Sequence, residues 1–514
     1  MDYLKYFQDR DDAIKSFENL WDKDTPWILA FTGFSGNGKS TMMDWLVANR
    51  CIPQGILYAL LGLGEKASEP EQALNLIIEN PTLAVSLPKG SLLDYQSQRN
   101  KILGDLNRRQ ISISQTQTMQ ASGGGEQTMS ADLSQALREL KRQAEQLISE
   151  AWLDCLTLIN PSQRVVFFLD NYEIFQDTAS RDDLLFFWSA LERAYVRLPS
   201  LRVVVASREP LRHQDDLRVL GSGLSGSPLK ELTKDDSNAM LRAMGVEDED
   251  FQKAVFNNLA GGHPLITRMA GEAWLEEPNG IPVSQIPRLI KRDQAVAWVH
   301  GRIIDRLQGS LKQAVCWAAL LRWFHADLLS SILDIELSED DFQSLIKYSF
   351  IIRPRVAQDF WACHDLVRLV QGDYLRHARP DEFNQFHKRA MSCYLQIEKP
   401  LDALYHQFFF DPEQAYEGWS ELESQAADNF DHPLWATLIE IGLSPELALP
   451  NRIRAEVLSR AAKRHYFRGE FEDAKEILPQ ALELYRAVGD RLGEANTLQA
   501  IGDVQQFRKD MDTA

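Results

Sequence analysis

The first 230 residues alternate short, continuously apolar runs with segments of helical period. Trp27 to Thr32, Ile56 to Leu60, Val165 to Leu169 and Leu201 to Ala206 are the apolar runs. Runs of this length, without polar alternation, predict strands buried on both faces of a parallel sheet covered by helices. Between them, Thr41 to Val47 and Glu71 to Ile78 predict helices. Leu133, Leu137, Leu140, Ala144, Leu147, Ile148, Ala151 and Leu158 recur at helical spacing along another, with Ser130 as its candidate cap. Upstream, Ile14, Phe17 and Leu20 predict a short amphipathic helix. One stretch breaks the alternation. Ile111 to Ser130 is rich in Gln, Ser and Thr, contains Gly123-Gly124-Gly125 and offers little to bury, so it predicts a flexible insertion.

From Leu229 onward the periods are helical. Thr233 followed by Asp236 predicts a helix start, with Met240, Leu241 and Met244 on one face. Phe256 to Ala260 predicts a helix halted at Gly261-Gly262-His263-Pro264, and Pro264 opens the next, Leu265 to Trp274. Ile303, Ile304, Leu307, Leu311 and Val315, then Phe342, Leu345 and Ile346, are core-spaced. Phe350 to Arg353 and Phe360 to Cys363 flank a turn at Pro354. Helices followed by such a hairpin predict a winged helix. In the tail, Leu458, Ala461, Ala462, Phe471 and Ala474 match Leu498, Ile501, Gly502, Met511 and Ala514, and Ala481 adds a second-helix alanine. Small residues at fixed places let paired helices approach closely, the pattern of tetratricopeptide repeats, here with a longer period than usual. Such arrays need stacking neighbours, so the repeats are expected to continue past residue 514. The expected division is 1–230 for the sheet domain, 231–297 for a helical lid, 298–395 for the winged helix and 396–514 for a helical linker and the first repeats.

Charge narrows the partners. With 55 basic and 74 acidic residues the net charge is −19, which disfavours nucleic acid and anionic membrane. No apolar run is long enough to span a bilayer. The five cysteines are scattered, without metal-ligand spacing, and predict reduced buried thiols in a cytoplasmic protein.

The candidate chemistry begins at the end of the first strand. Gly33-Phe34-Ser35-Gly36-Asn37-Gly38-Lys39-Ser40-Thr41 follows G-x-x-x-x-G-K-[ST], the phosphate loop of P-loop NTPases, in the strand-turn-helix setting that its chemistry requires. Glycines let the backbone approach a phosphate, and the helix N-terminus supplies N–H groups and positive potential. Lys39 would reach the β- and γ-phosphates and Ser40 would hold Mg²⁺. Asp170, closing the third strand, is the candidate Mg²⁺ carboxylate; the bland alternative is a turn residue. Glu173 is a candidate to orient or deprotonate the attacking water. Arg208, after the fourth strand, either reads a γ-phosphate or caps a strand end. His364 alone reads as a cap or a satisfied surface group. The fold class is therefore an α/β P-loop NTPase domain with a parallel sheet, followed by an all-α lid, a winged helix and an α-solenoid of repeats.

That order of parts resembles the signal-transducing STAND NTPases, related to the NB-ARC and NACHT domains of innate-immune receptors. The resemblance implies that Arg10 lies near base and ribose and that Gly33 to Thr41 binds phosphate. It also implies Asp170 on Mg²⁺, Arg208 as sensor, Pro264 packed on adenine, and His364 of Cys363-His364-Asp365 on the ADP phosphate at rest. It implies a switch using ATP, ADP and Mg²⁺, with slow hydrolysis. A protein or small-molecule ligand at the repeats would trigger ADP-to-ATP exchange and homo-oligomerisation. Two other readings stand beside it: an AAA+-like ATPase or transcription regulator using its winged helix on DNA, and a repeat scaffold with a structural nucleotide site.

Overall fold

Five parallel strands form one sheet in the order β2-β3-β4-β1-β5, in a computed structural model that describes residues 4, 6–8, 10–22, 25–63, 70–120, 126–179, 181–211, 223–288, 291–355, 360–429, 431–467 and 471–513. The strands are β1 (Ile28–Thr32), β2 (Leu57–Gly62), β3 (Val165–Asp170), β4 (Leu201–Ser207) and β5 (Leu224–Pro228). Every residue of β3 and β4 is buried, as their mainly apolar runs, interrupted in β4 by Arg202, require in the middle of a covered sheet. β4 lies between β1 and β3, in register Ala30↔Val205 and Phe167↔Val203. Because all five strands run the same way, the segments leaving β1, β3 and β4 depart from one edge, where ligands bind in open α/β sheets. β5 falls outside the expected strands. Leu-Ser-Gly-Ser-Pro has almost no apolar character, and only an edge position with half-exposed residues accommodates it.

The chain divides into two compact units: Asp11–Thr32 with Lys39–Pro228, and Met1–Arg10 with Gly33–Gly38 and Leu229–Ala514. Among its described residues the first unit holds the sheet and the α-helices α1 (Asp11–Glu18), α2 (Lys39–Leu46), α3 (Pro70–Glu79), α4 (Pro81–Ala84), α5 (Ser91–Gln120), α6 (Glu126–Leu156), α7 (Tyr172–Thr178) and α8 (Arg181–Arg197). Its core gathers Trp152, Phe167, Phe175, Phe187 and Trp188, with the Trp188 indole N–H donating to the Tyr172 hydroxyl at 2.8 Å. On α1, Phe17 stacks on Phe168 of β3 at 5.9 Å.

Two expectations are corrected here. The polar stretch predicted as a flexible insertion is helical over 111–120 and again over 126–130, as the ends of α5 and α6, which pack along each other. The triple glycine lies outside the described residues. On α6 the buried stripe is Ala144, Ile148, Trp152 and Leu156, whereas Leu147 and Leu158 are more than half exposed. Of the expected set, Ala144 and Ile148 are buried as the spacing predicts, and Leu147 and Leu158, the latter just past the end of α6, are not.

The second unit is helical. Thr233 caps Lys234–Ala243 by accepting the Asp236 N–H at 3.2 Å, as its spacing predicts. Glu249–Ala254 continues through a wider turn, Val255–Ala260, and ends at Gly261 and Gly262, both left-handed. Gly262 has no alternative, since a Cβ there would lie 2.2 Å from the Leu232 carbonyl oxygen. Pro264–Leu275 follows. Helices Arg292–Arg306, Gly309–Ala318, Ala326–Leu333 and Glu339–Leu345 precede an antiparallel pair, Ile351–Ile352 with Ala362–Cys363, and Phe324 bridges Trp361 beside it. This is the arrangement of a winged helix.

The last helices pair with small residues at their contacts. Asn451–Phe467 and Phe471–Val488 bury Ala461, Ala462, Ala474 and Ala481 almost completely. Arg491–Thr513 starts 40 residues after Asn451, the period seen in the sequence. Its Leu498 is 45% exposed while the matching Leu458 is 7% exposed. Met511 continues this helix, whereas its counterpart Phe471 opens one. Ala514 lies outside the described residues. The five cysteines are free thiols, four buried and Cys393 half-buried. Among the described residues no helix is long and apolar enough to cross a membrane.

Candidate functional site

The chain leaves β1 at Thr32 and turns through six residues into α2, which starts at Lys39. The turn is closed by the Asn37 N–H on the Phe34 carbonyl at 3.2 Å. Gly36 and Gly38 take φ of +80° and +83°, a region that side chains disfavour. No acidic residue lies in the first turn of α2, so the positive end of that helix favours an anion. The chain is thus a P-loop protein in local structure as well as in motif.

Within the sheet unit, four of the residues singled out from sequence come together. Burial pulls the Lys39 ammonium below its usual pKa; the Glu173 and Asp170 carboxylates oppose that shift and Arg208 adds to it. Asp170 closes β3 and is only 2% exposed, and its Oδ1 accepts the Asn171 N–H at 3.0 Å. Asn171 adopts a left-handed φ of 57°, which asparagine tolerates better than most residues, and α7 begins at the next position. That tight turn brings Glu173, in the first turn of α7, against the end of β4. There Glu173 Oε1 pairs with Arg208 Nε at 3.0 Å, and Oε2 accepts the Arg208 backbone N–H at 3.1 Å. Burial pushes the Glu173 carboxyl up, and its hydrogen bonds and Arg208 pull it back. Glu173 is therefore the partner of Arg208, a relation the sequence did not suggest.

Ser40 presents an exposed hydroxyl one residue after Lys39, and Asp170 presents a carboxylate. These are hard oxygen donors of the kind Mg²⁺ takes, and they fit a cation that keeps most of its shell as water and phosphate. Among the described residues no group of three or more His, Cys, Asp or Glu could hold a metal by itself.

The loop Gly33–Gly38 belongs to the other unit, where three neutral or backbone contacts hold it. Asn37 is buried and its Nδ2 donates to the Leu229 carbonyl at 3.2 Å. Arg10, expected near base and ribose, donates from Nη2 to the Asn37 carbonyl at 2.9 Å. His263 is fully buried and joins its Nε2 to the Ser35 carbonyl at 3.0 Å. Since that oxygen can only accept, Nε2 carries the proton. Nδ1 is then the acceptor for the Ile266 N–H, at 3.5 Å, capping Pro264–Leu275. Gly36 fits beneath this ring because it has no side chain: a Cβ would lie 2.5 Å from His263 Cε1. Phe34 is 65% exposed, with the Arg292 guanidinium 4.8 Å above its ring and Glu231 paired to that arginine.

Pro264 occupies the first position of its helix, as expected of a proline there. His364 caps Asp365–Ala378, its Nδ1 accepting the Leu366 N–H at 3.3 Å, which is the cap reading of that residue. His263 was passed over in sequence, although histidine immediately before a helix-opening proline marks a cap position.

No known protein-family profile and no curated protein matches the chain. Solved structures align with it at low identity. A signal transduction ATPase with numerous domains (STAND) with a tetratricopeptide repeat sensor, from Pyrococcus horikoshii, aligns over 98% of this chain and 68% of its own, with 13% identity and a TM-score of 0.46. A Walker-type ATPase of Pyrococcus abyssi aligns over 71% of this chain and 96% of its own, with 15% identity and a TM-score of 0.29. A chain of Drosophila ORC bound to poly(dA/dT) DNA aligns over 97% of this chain and 70% of its own, with 10% identity and a TM-score of 0.27.

Proposed function

We propose that the chain is a STAND-type nucleotide switch, resting with ADP and activated by exchange for ATP with Mg²⁺. The observation that carries this reading is the hydrogen bond from buried His263 to the Ser35 carbonyl, with Gly36 pressed beneath the ring. A phosphate entering the loop acts on backbone that the helix Pro264–Leu275 already holds, so that helix feels occupancy directly. A ligand shifts such an equilibrium only through differential affinity for two states, and this contact supplies a difference.

In the proposed mechanism Lys39 would neutralise the β- and γ-phosphates, and Ser40 and Asp170 would hold Mg²⁺, which when bound would supply further neutralisation of phosphate charge. Arg208 exchanges Glu173 for the γ-phosphate. Released from that pair, the Glu173 carboxylate orients water, and hydrolysis is slow because the pair re-forms readily. Arg10 and Pro264 serve the nucleoside end, and His364 the ADP phosphate of the resting form. A protein or small molecule sensed by the C-terminal repeats triggers exchange and assembly of several copies.

The DNA-reading alternative is disfavoured by the helix Glu339–Leu345 ahead of the hairpin, whose first turn is Glu339, Asp340 and Asp341. The test is to denature the purified protein and identify released nucleotide by chromatography, then follow exchange of labelled ADP for ATP. Bound ADP that leaves faster in His263→Asn supports the switch. An empty protein that takes up no labelled ATP with Mg²⁺ sinks it and leaves the scaffold reading.

A further inference from the structure

A cavity lies in the C-terminal helices, lined by none of the phosphate-loop residues. It is a groove of about 330 Å³ between Asn451–Phe467 and Arg491–Thr513, floored by Phe471–Val488. Glu456, Ser459, Lys463 and Tyr466 line it from one helix at spacings of three and four, and Asn496, Ala500 and Asp503 line it from another.

The floor is a constructed polar network. The Ser459 hydroxyl donates to the Tyr485 hydroxyl at 3.3 Å, and burial together with the nearby Glu456 carboxylate pushes the Tyr485 hydroxyl pKa up. The Tyr485 ring is only 2% exposed. It reaches this place because position 493 is glycine; a Cβ there would lie 2.4 Å from the ring. Asp490 is fixed beside it, its Oδ1 accepting the Leu492 and Gly493 N–H groups at 3.1 and 3.0 Å. The charges in the groove are therefore three carboxylates, Glu456, Asp490 and Asp503, against the single ammonium of Lys463. Ala462, Leu478, Ala500 and Val504 add hydrocarbon.

We propose that this groove binds a small organic cation, an amine or guanidine on a short hydrocarbon chain. The carboxylates attract the cationic head. The alanines, leucine and valine cover the chain. An anion meets like charge, and Asp490 already occupies the N-terminus of Arg491–Thr513. The volume is at the low end for a small-molecule site. This names the ligand class for the sensing role proposed above and rests on that role only for its consequence.

The experiment is isothermal titration of the full chain with agmatine, putrescine and spermidine, with glutamate as the anionic control. The same titrations use a Glu456→Gln/Asp503→Asn variant whose fold is checked by circular dichroism. Saturable binding of at least one amine, weakened about tenfold or more in the double variant, is expected. Binding should persist in Lys39→Ala, which isolates it from the nucleotide site. No saturation by any of the three, equal affinity in the double variant, or preference for glutamate overturns the proposal. So does capture of a lysine-rich peptide with no response to the free amines. An amine that binds the groove yet leaves ADP exchange unchanged keeps the site and removes the sensing role.

Discussion

The two units keep their polar interiors in different chemical states. The sheet unit holds charge: Glu173 with Arg208, Arg99 with Glu71 at 2.7 Å, and a buried Arg202 whose Nη1 donates to the Pro199 and Leu201 carbonyls at 2.8 and 2.7 Å. The helical unit has ion pairs too, such as Arg368 with Glu446 and Arg460 with the 1% exposed Glu423, but it also buries a set of imidazoles. Nine of the ten histidines belong to it. His263, His300, His387 and His406 are at most 1% exposed. His300 Nδ1 meets Gln371 Oε1 at 3.2 Å, and His387 and His406 face each other through Nδ1 at 2.7 Å. One ring of that pair must donate and the other accept. The accepting ring then carries its proton on Nε2, which is buried without a partner. The buried imidazoles, and with them the expected acid sensitivity, are thus concentrated in the helical unit, while Lys39, Asp170, Glu173 and Arg208 gather in the sheet unit.

The largest effect should come from the charged interior. Lys39→Ala removes the only ammonium at the start of α2, and nucleotide affinity should fall about 100-fold or more while thermal stability hardly changes. Labelled-ATP binding at fixed ionic strength measures this, and a loss under threefold would mean the loop does not carry the nucleotide. Glu173→Gln keeps the shape and removes the charge facing Arg208. Turnover should fall about 100-fold, within the range for a group acting on the attacking water, while ADP affinity stays within about threefold. Unchanged turnover would leave Glu173 as a clamp for Arg208 alone.

The neutral interior should respond to acid instead. Burial lowers His300 to about 4 and His406 to about 3, with Arg322 adding to the latter, and it sends His387 well below its usual value. A ring whose folded pKa is depressed binds its proton more readily in the unfolded chain. The stability it contributes is therefore complete above about pH 6.5 and is lost as pH falls toward the folded value. At pH 5 the loss is about 2 kcal/mol per ring. Replacing both partners, His387→Phe with His406→Leu, removes two such rings and one unpaired N–H, so stability at pH 7 should stay near wild type. Melting curves at pH 7 and pH 5 should then lie closer together than in the parent. An identical acid shift in parent and variant would place the sensitivity elsewhere.

The same contrast governs how much was legible in the sequence. β3 and β4 announce themselves because both faces of a central parallel strand must be apolar. Asp170 and Arg208 follow as the first polar side chains past, or at, their ends. β5 is silent because an edge strand with backbone pairing on one side needs no apolar pattern. The 111–130 stretch misleads for the opposite reason: glutamine and serine tolerate a helix well enough when a neighbouring helix runs alongside, and apolar content alone does not register that. Leu147 and Leu158 are core-spaced yet more than half exposed, while Ala144 and Ile148 of the same expected set are buried together with Trp152, because the spacing admits more positions than one stripe can bury. His263 lay in plain view before Pro264. Its bond to Ser35 spans 228 positions of sequence, and no local pattern encodes a contact of that range.

The smallest of these effects is the most discriminating, because it concerns the neutral contact that serves the loop. His263 does two jobs through two nitrogens: Nδ1 caps Pro264–Leu275 and Nε2 holds Ser35. Asparagine is a good cap but is too short to reach the loop, so His263→Asn separates the jobs. A neutral hydrogen bond contributes about 1 kcal/mol, which sets the expected change at about fivefold in the ADP dissociation rate, with thermal stability near that of the parent. His263→Ala loses the cap as well and should melt lower by the equivalent of about 1 kcal/mol, with the same change in ADP release. If the two variants differ in ADP release as much as they differ in stability, the loop senses only the integrity of the helix. If they release ADP alike and melt apart, the hydrogen bond to Ser35 is itself the coupling between phosphate loop and helix.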